Sequence, residues 1–538
     1  MEALELETET WGGRAPWTAS RQQKGIGAVT AFLLAFALGA CGTEEGEIRT
    51  TSSATAQTER LDPEEVEAWA DQVFTQMLEE RRFSALAIAV SQDDEVVFQK
   101  GYGYADWADR TPVDPRNSQF RIGSLTKTFF GTAIAQLLER GLIDSLDDPV
   151  NRYLKRTQVE NPFGGEISIW DMLTHQGGMG SAPVFVAESV ERPVPPLPAD
   201  YIAAHTPPVV REPGTVSIYC NPCSATLGFM VEDITGQTLQ DYMRENIFEP
   251  LGMSRTELTN APQAPNSDVV TQYAFVPDGP PIPLPYPAIS PYLSYAGDMN
   301  SSAGDMAKWL VAHIMAGRGD GPGILEPETF DLLHRRKRGN NPEASGFGIQ
   351  FFTYDYNGER VIEHYGSIRF RSMEIMMLDR GIGVFVTMGG GGEPPAGLAD
   401  AFGNNGLESL PGPVKPELSH SGVRAIVLEH FLGPLLIPEH APADPSPYVG
   451  VYHPLQANPD AEPSGPGRTV EASGDGGLVI GGLGTYRPSG PTSFTLEGRL
   501  PPEAGFGVAN HYVFARGPDG RMWMFPHVNA GALVRAED

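Results

Sequence analysis

The sequence predicts an α+β fold: one antiparallel sheet covered by helices, followed by a small all-β domain. Three observations carry this expectation. Hairpin patterns stand near both ends of residues 61–436. Helical periodicity fills the interval between them. From residue 446 onward, glycine interrupts a series of short β-rich runs. Strands at both ends of a segment, with helices between, close as one sheet packed under helices.

Taken in chain order, Asp62-Pro63 reads as an N-cap followed by proline at the first helical position. Val66, Trp69, Val73 and Met77 then recur at helical spacing. Residues 85–90 and 95–99 flank an Asp93-Asp94 turn and form the first hairpin. A helix over residues 124–140 carries Leu125, Phe129, Ala133, Ile134, Leu137 and Leu138, and stops at Gly141. A second helix covers 225–235 and stops at Gly236. Thr238 with Asp241 resembles a capping box opening a third helix through Phe248. The second hairpin joins 373–378 to 382–388 through Asp379-Arg380-Gly381. Proline-rich stretches at 194–213 and 277–291 are expected as loops walling a cleft, with a disordered insert as the alternative for the first. Proline-rich residues 437–447 mark a boundary. Residues 446–538 are expected to form the all-β, barrel-like domain, with strands at 448–452, 478–480 and 511–515.

At 538 residues the chain exceeds one compact domain and calls for two or three. Its apolar share of 41% is enough for a packed core and argues against wholesale disorder. The formal charge of −30 repels phosphate backbones, so no nucleic-acid partner is expected.

The N-terminal region reads as an address. Arg21 and Lys24 precede an acid-free apolar run over residues 26–40. That run is shorter than the ~20 residues a bilayer span needs, but suits the apolar region of a signal peptide. It ends in Leu38-Gly39-Ala40-Cys41, which resembles the lipobox of bacterial lipoproteins. The resemblance implies cleavage of residues 1–40 and acyl chains on Cys41. The protein is then expected in the bacterial cell envelope, extracytoplasmic and held to a membrane through Cys41, since several acyl chains anchor stably. Residues 41–60 are polar and read as a flexible tether.

Phe120-Arg121-Ile122-Gly123-Ser124-Leu125-Thr126-Lys127 is the chemical centre of the sequence. Serine is a poor nucleophile without a nearby base. A Ser-x-x-Lys spacing on a helix puts both side chains on one face, one turn apart. The helix start also leaves backbone N–H groups near Ser124 to hold an oxyanion. A cation in the first helical turn is disfavoured by about 0.3–1 kcal/mol, and burial adds to this. Both effects push Lys127 toward the neutral amine that accepts a proton. Alone, the spacing is a weak signal, because an N-cap serine followed by a solvated lysine has the same pattern.

Further segments raise its weight. The 120–127 segment strongly resembles the nucleophile helix of class C β-lactamase-like serine hydrolases. That family includes β-lactamases, D-alanyl-D-alanine carboxypeptidases, D-aminopeptidases and esterases. Asp171-Met172-Leu173-Thr174-His175-Gln176-Gly177-Gly178-Met179, Pro213-Gly214-Thr215, Tyr219-Cys220-Asn221, Ile247-Phe248-Glu249-Pro250-Leu251-Gly252-Met253 and His364-Tyr365-Gly366 follow in the family's order. The resemblance spans residues 62–400 or so. It implies a serine β-lactamase-like fold with a helical subdomain, and acyl transfer without metal or cofactor. Ser124 becomes the nucleophile, with Lys127 and Tyr219 moving protons. Tyr219, a phenol titrating near pH ~10, needs a neighbouring cation to act as a base. Asn221 is expected to bond a substrate amide or Lys127. The N–H groups of Ser124 and Ser367 would form the oxyanion hole, and His364 and Gly366 would complete the substrate side.

His364 stands where relatives often place a lysine, and a neutral imidazole offers substrate carboxylates no fixed cation. Small esters or D-amino-acid-containing amides are therefore expected ahead of β-lactams. The alternatives are a β-lactamase or D-alanyl-D-alanine carboxypeptidase, and a non-catalytic envelope protein that keeps the fold. Arg369 and Arg371 are near enough in sequence to supply the charge, although solvated strand ends read the same way. Tyr365 and Ile368 are expected to narrow the cleft. Cys220 and Cys223 are too few for a zinc site and read as two small semi-buried residues or a local disulfide. His175 and His205 read as structural, and Arg335-Arg336-Lys337-Arg338 as a solvated helix end.

Overall fold

Eight strands make the central sheet of the computed structural model, all pairing antiparallel. The structure describes residues 60–536 apart from 186–191, 260–265, 318, 320, 322, 394–406, 439–443, 456–466, 482, 501, 503–508, 510, 518 and 527–531. The leader, the lipobox with Cys41 and nearly all of the tether lie outside the described residues.

In chain order the strands are β1 (Ala85–Gln92), β2 (Glu95–Asp106), β3 (Thr111–Pro112), β4 (Gly346–Phe347), β5 (Phe352–Tyr356), β6 (Glu359–Ile368), β7 (Phe370–Met377) and β8 (Ile382–Gly389). Their spatial order is β3-β2-β1-β8-β7-β6-β5-β4. The two sequence-predicted hairpins, β1–β2 and β7–β8, thus meet through the β1–β8 pairing at the centre. Gly381, at φ 65°, closes the second hairpin in the left-handed region glycine tolerates.

One face of the sheet is covered by α1 (Pro63–Glu79) and by the helix His420–Leu432. Asp62 caps α1, its Oδ1 accepting from the Glu64 N–H at 2.8 Å. Val66, Ala70 and Phe74 are its buried positions. The expected stripe of Trp69, Val73 and Met77 is only half-buried beside them. The helix is therefore turned by about one position from the expected face. The other face of the sheet packs against a helical layer around α2 (Thr126–Glu139), which is buried from Thr126 to Leu137.

Several bounds differ from the sequence reading. Residues Gly123–Leu125 form one 3₁₀ turn before α2. The helix expected at 225–235 starts four residues earlier, as α3 (Asn221–Thr235). Thr238 caps its helix as expected, its Oγ1 accepting from Asp241 N–H at 3.1 Å. That helix widens into a π turn over Arg244–Phe248 and continues to Leu251. The 194–213 stretch contains a helix, Ala199–His205.

The C-terminal region is a closed barrel of eight antiparallel strands between Gly450 and Arg535. Tyr452, Tyr486, Phe494, Tyr512 and Phe514 fill its interior. Ala344 packs with Val513, Trp523 and Phe525 on its outside, and Arg499 pairs with Glu429 at 2.6 Å.

Candidate active site

The strand Phe120–Arg121 pairs with Met299–Ser301, and Ile122 N–H donates to the Met299 carbonyl at 2.9 Å. This ties the nucleophile turn to the segment around Ala296. Gly123, at φ 59°, then turns the chain into Ser124.

Lys127 is fully buried. Its Nζ donates to Ser124 Oγ at 3.0 Å and to the Ala296 carbonyl at 2.5 Å. Among the described residues no carboxylate pairs with it. Burial alone pushes its pKa well below the usual lysine value, toward the neutral amine. Two residues from Ala296, Asp298 forms a fully buried ion pair with Arg121, cross-linking the segments on either side of the site.

Tyr219 is the last residue but one before α3. Lys127 Nζ stands 5.0 Å from its ring centroid. The phenol oxygen is buried and aligned with no hydrogen-bond partner. Burial raises its pKa, and proximity to the Ser124 hydroxyl opposes that only partly. Burial thus favours the neutral form of both amine and phenol. The cation that the sequence expectation calls for beside Tyr219 is Lys127, and burial works against its charge.

Gly366 sets how closely β6 approaches the nucleophile. A Cβ there would fall 1.9 Å from the Ile122 carbonyl oxygen and 3.0 Å from Ser124 N. A Cβ on Gly123 would meet Ser367 N at 3.1 Å. The amides of Ser124 and Ser367 therefore converge at this glycine pair.

A cavity of about 300 Å³ opens over Ser124. Tyr219, Asn221, Tyr365, Ser367 and Ile368 line it, with Val184, Ile289 and Leu293 as further apolar wall. Among the described residues, no acidic or basic side chain lines it. Tyr365 and Ile368 occupy the cleft as expected. Asn221 lines it too but makes no bond to Lys127, which reaches the Ala296 carbonyl instead. Val184, Ile289 and Leu293 carry no sequence motif, and the Ala296 carbonyl is backbone, so pattern reading passes over them.

Other expectations need correction. His364 is fully buried and does not line the cavity. Its Nδ1 bonds the Tyr365 carbonyl at 2.9 Å, and burial pushes its pKa well below the usual value. Arg371 is held by Glu417, and Arg369 bonds the Pro285 carbonyl at 3.4 Å, so neither brings charge to the cleft. Arg338 is no solvated helix end: it pairs with Asp171 and bonds Gln176 Oε1 at 3.0 Å. Cys220 and Cys223 form a disulfide immediately after Tyr219. Among the described residues no group of three or more His, Cys, Asp or Glu is placed to hold a metal ion.

An antiparallel sheet, a buried helix and a buried lysine 3.0 Å from a serine hydroxyl at its head are the frame of a serine hydrolase. The chain belongs to the Beta-lactamase family, whose model matches residues 70–404. A D-aminopeptidase of Brucella anthropi is 28% identical over 291 residues, covering 52% of this chain and 51% of its own. The chain thus spans about half the length of the curated relatives it matches. The octameric penicillin-binding protein homologue from Pyrococcus abyssi aligns with a TM-score of 0.53 at 22% identity, covering 87% of this chain and 100% of its own. D-amino acid amidase from Ochrobactrum anthropi SV3 aligns with a TM-score of 0.50 at 21% identity, over 61% of this chain and 93% of its own.

Proposed function

We propose that this serine hydrolase cleaves small esters or D-amino-acid-containing amides through an acyl-enzyme on Ser124. The observation that carries the reading is the buried, unpaired Lys127 amine at 3.0 Å from Ser124 Oγ. The serine hydroxyl passes its proton to that amine as Oγ attacks the substrate carbonyl. The converging amides of Ser124 and Ser367 hold the resulting oxyanion. The Tyr219 hydroxyl gives its proton to the leaving group and is restored from Lys127. Water then attacks the acyl-enzyme and the proton path runs in reverse.

The uncharged cavity wall supports a substrate without charge beside the scissile bond. Among the described residues it offers no cation for a β-lactam carboxylate and no anion for a free α-ammonium group. The D-amide half of the reading is favoured by the relatives, a D-aminopeptidase and a D-amino acid amidase.

The test is intact-mass spectrometry after exposure to p-nitrophenyl esters, D-amino-acid amides and a chromogenic cephalosporin. Esters or amides should leave a transient acyl mass on the wild-type chain and none on Ser124→Ala. Equal adducts on both proteins, or turnover of the cephalosporin alone, would refute the reading.

We also propose an extracytoplasmic envelope location with a lipid anchor on Cys41. The lipobox supports it, and the Cys220–Cys223 disulfide fits an oxidising compartment. Radiolabelled palmitate should enter the wild-type protein expressed in a bacterial host and not Cys41→Ser. Equal labelling of the two would remove the anchor.

A further inference from the structure

His175 stands outside the reaction proposed above, yet it grips Tyr219 on three sides. Its carbonyl accepts the Ile218 N–H at 3.0 Å. Its Nδ1 accepts the Cys220 N–H at 3.1 Å. These are the residues immediately before and after Tyr219. Between the two bonds, the imidazole lies against the phenol ring, with centroids 4.5 Å apart and planes tilted by 35°. Phe347 closes the far side edge-on at 5.0 Å.

Two further features mark the residue. His175 has φ 59°, a left-handed conformation that is uncommon outside glycine, asparagine and aspartate. Such backbone is retained where its surroundings fix it, and it clusters at functional sites. The imidazole is also buried, and because Nδ1 accepts a bond, its proton sits on Nε2. That Nε2–H has no partner among the described residues.

We propose that His175 is the positioning residue of Tyr219: it fixes the phenol beside Ser124 through the paired bonds to Ile218 and Cys220. The proposal rests on the role given to Tyr219 above. Tyr219 precedes α3 and its buried hydroxyl has no hydrogen-bond partner among the described residues, so its placement falls to the flanking backbone and to the packing of its ring, where His175 is the closest aromatic neighbour. A catalytic group displaced by an ångström loses about 10²-fold in rate. The disulfide belongs to the same clamp, because Cys220 supplies both the N–H on His175 and the sulfur bonded to α3.

The test uses the full chain and an ester substrate that the wild type turns over. His175→Ala should lower kcat by about 10- to 100-fold and leave KM within about twofold. His175→Asn tolerates the left-handed backbone and keeps an acceptor for Cys220 N–H, so it should recover kcat to within about fivefold of wild type. In a Tyr219→Phe background, His175→Ala should cost nothing more, since the group it places is already gone. Wild-type kcat in His175→Ala, multiplied losses in the double variant, or an Asn variant as slow as Ala would each overturn the proposal. If Tyr219→Phe alone turned over at the wild-type rate, the role of Tyr219 would fall instead. A Tyr219→Phe defect beside a neutral His175→Ala would remove only the role of His175.

Discussion

Lys127 enters the core without a counter-charge, and that isolation gives it its chemistry. A charged ammonium there would need an acid partner, and a partner would have raised its pKa and disabled the base. Lys127→Met keeps the length of the side chain and removes the amine. Turnover should fall by about 10²–10⁴-fold. Thermal stability should hold or rise, because a buried polar group is replaced by one that prefers the core. A Lys127→Met enzyme near wild-type kcat would show that the base lies elsewhere. Ser124, Lys127 and Tyr219 were legible in the sequence because spacing and motif order constrain them together. His364 was legible as a residue and misleading as a contact. Side chains alternate faces along a strand, so a motif names a position without saying which face it takes. His364 turns into the core while Ser367, three residues on, reaches the cleft.

At the level of elements, periodicity found the helices and strands and placed their faces and ends less well. In α1 the expected stripe was Val66, Trp69, Val73 and Met77, and of these only Val66 is buried, together with Ala70 and Phe74. Two apolar stripes at helical spacing share this helix, and periodicity alone does not say which one the sheet takes. The start of α3 was hidden because Cys220 is an unusual cap: its sulfur accepts from the Cys223 N–H at 3.1 Å. The approach of β6 to the nucleophile turn illustrates what no pattern encodes. It depends on Gly366 lying against the Ile122 carbonyl, two residues far apart in sequence. The closed barrel was foreseen as short β-rich runs. Its strand count was not, because three- to six-residue strands separated by irregular loops leave a weak alternating signal.

Taken whole, the molecule buries several histidines without charge partners, and these shape its response to pH. His175, His313, His334 and His364 are buried and uncharged. Burial holds His175 and His334 at about 3, and pushes His313 and His364 well below the usual histidine value. His313 Nδ1 and His334 Nε2 lie 2.9 Å apart, so protonating both would place two cations together in the core. A base whose folded pKa is depressed stabilises the fold above its unfolded value, near 6.5. That stability is lost as pH falls, because the unfolded chain then binds the protons. Each such group adds up to about 1.4 kcal/mol per pH unit below 6.5. Glu374 works in the opposite sense: burial raises its pKa to about 8, so stability declines as pH rises from its unfolded value near 4.5 toward 8. Burial raises Glu232, Glu257, Glu363, Glu417 and Glu429 as well, so carboxyls oppose the imidazoles between pH ~4.5 and 6.5. Below ~4.5 those carboxyls are protonated in both states, while His420 and His511, at about 4, join the imidazoles. With a typical reserve of about 5–15 kcal/mol, the fold should be lost near pH ~3. Urea unfolding at a series of pH values from 7.5 to 3.5, followed by circular dichroism, should show stability falling more steeply below ~4.5 than above it, with uptake of two or more protons. A flat profile across that window, or a native spectrum at pH ~2.5, would mean that these histidines admit charge in the folded state and that the interior is wetter than its packing implies.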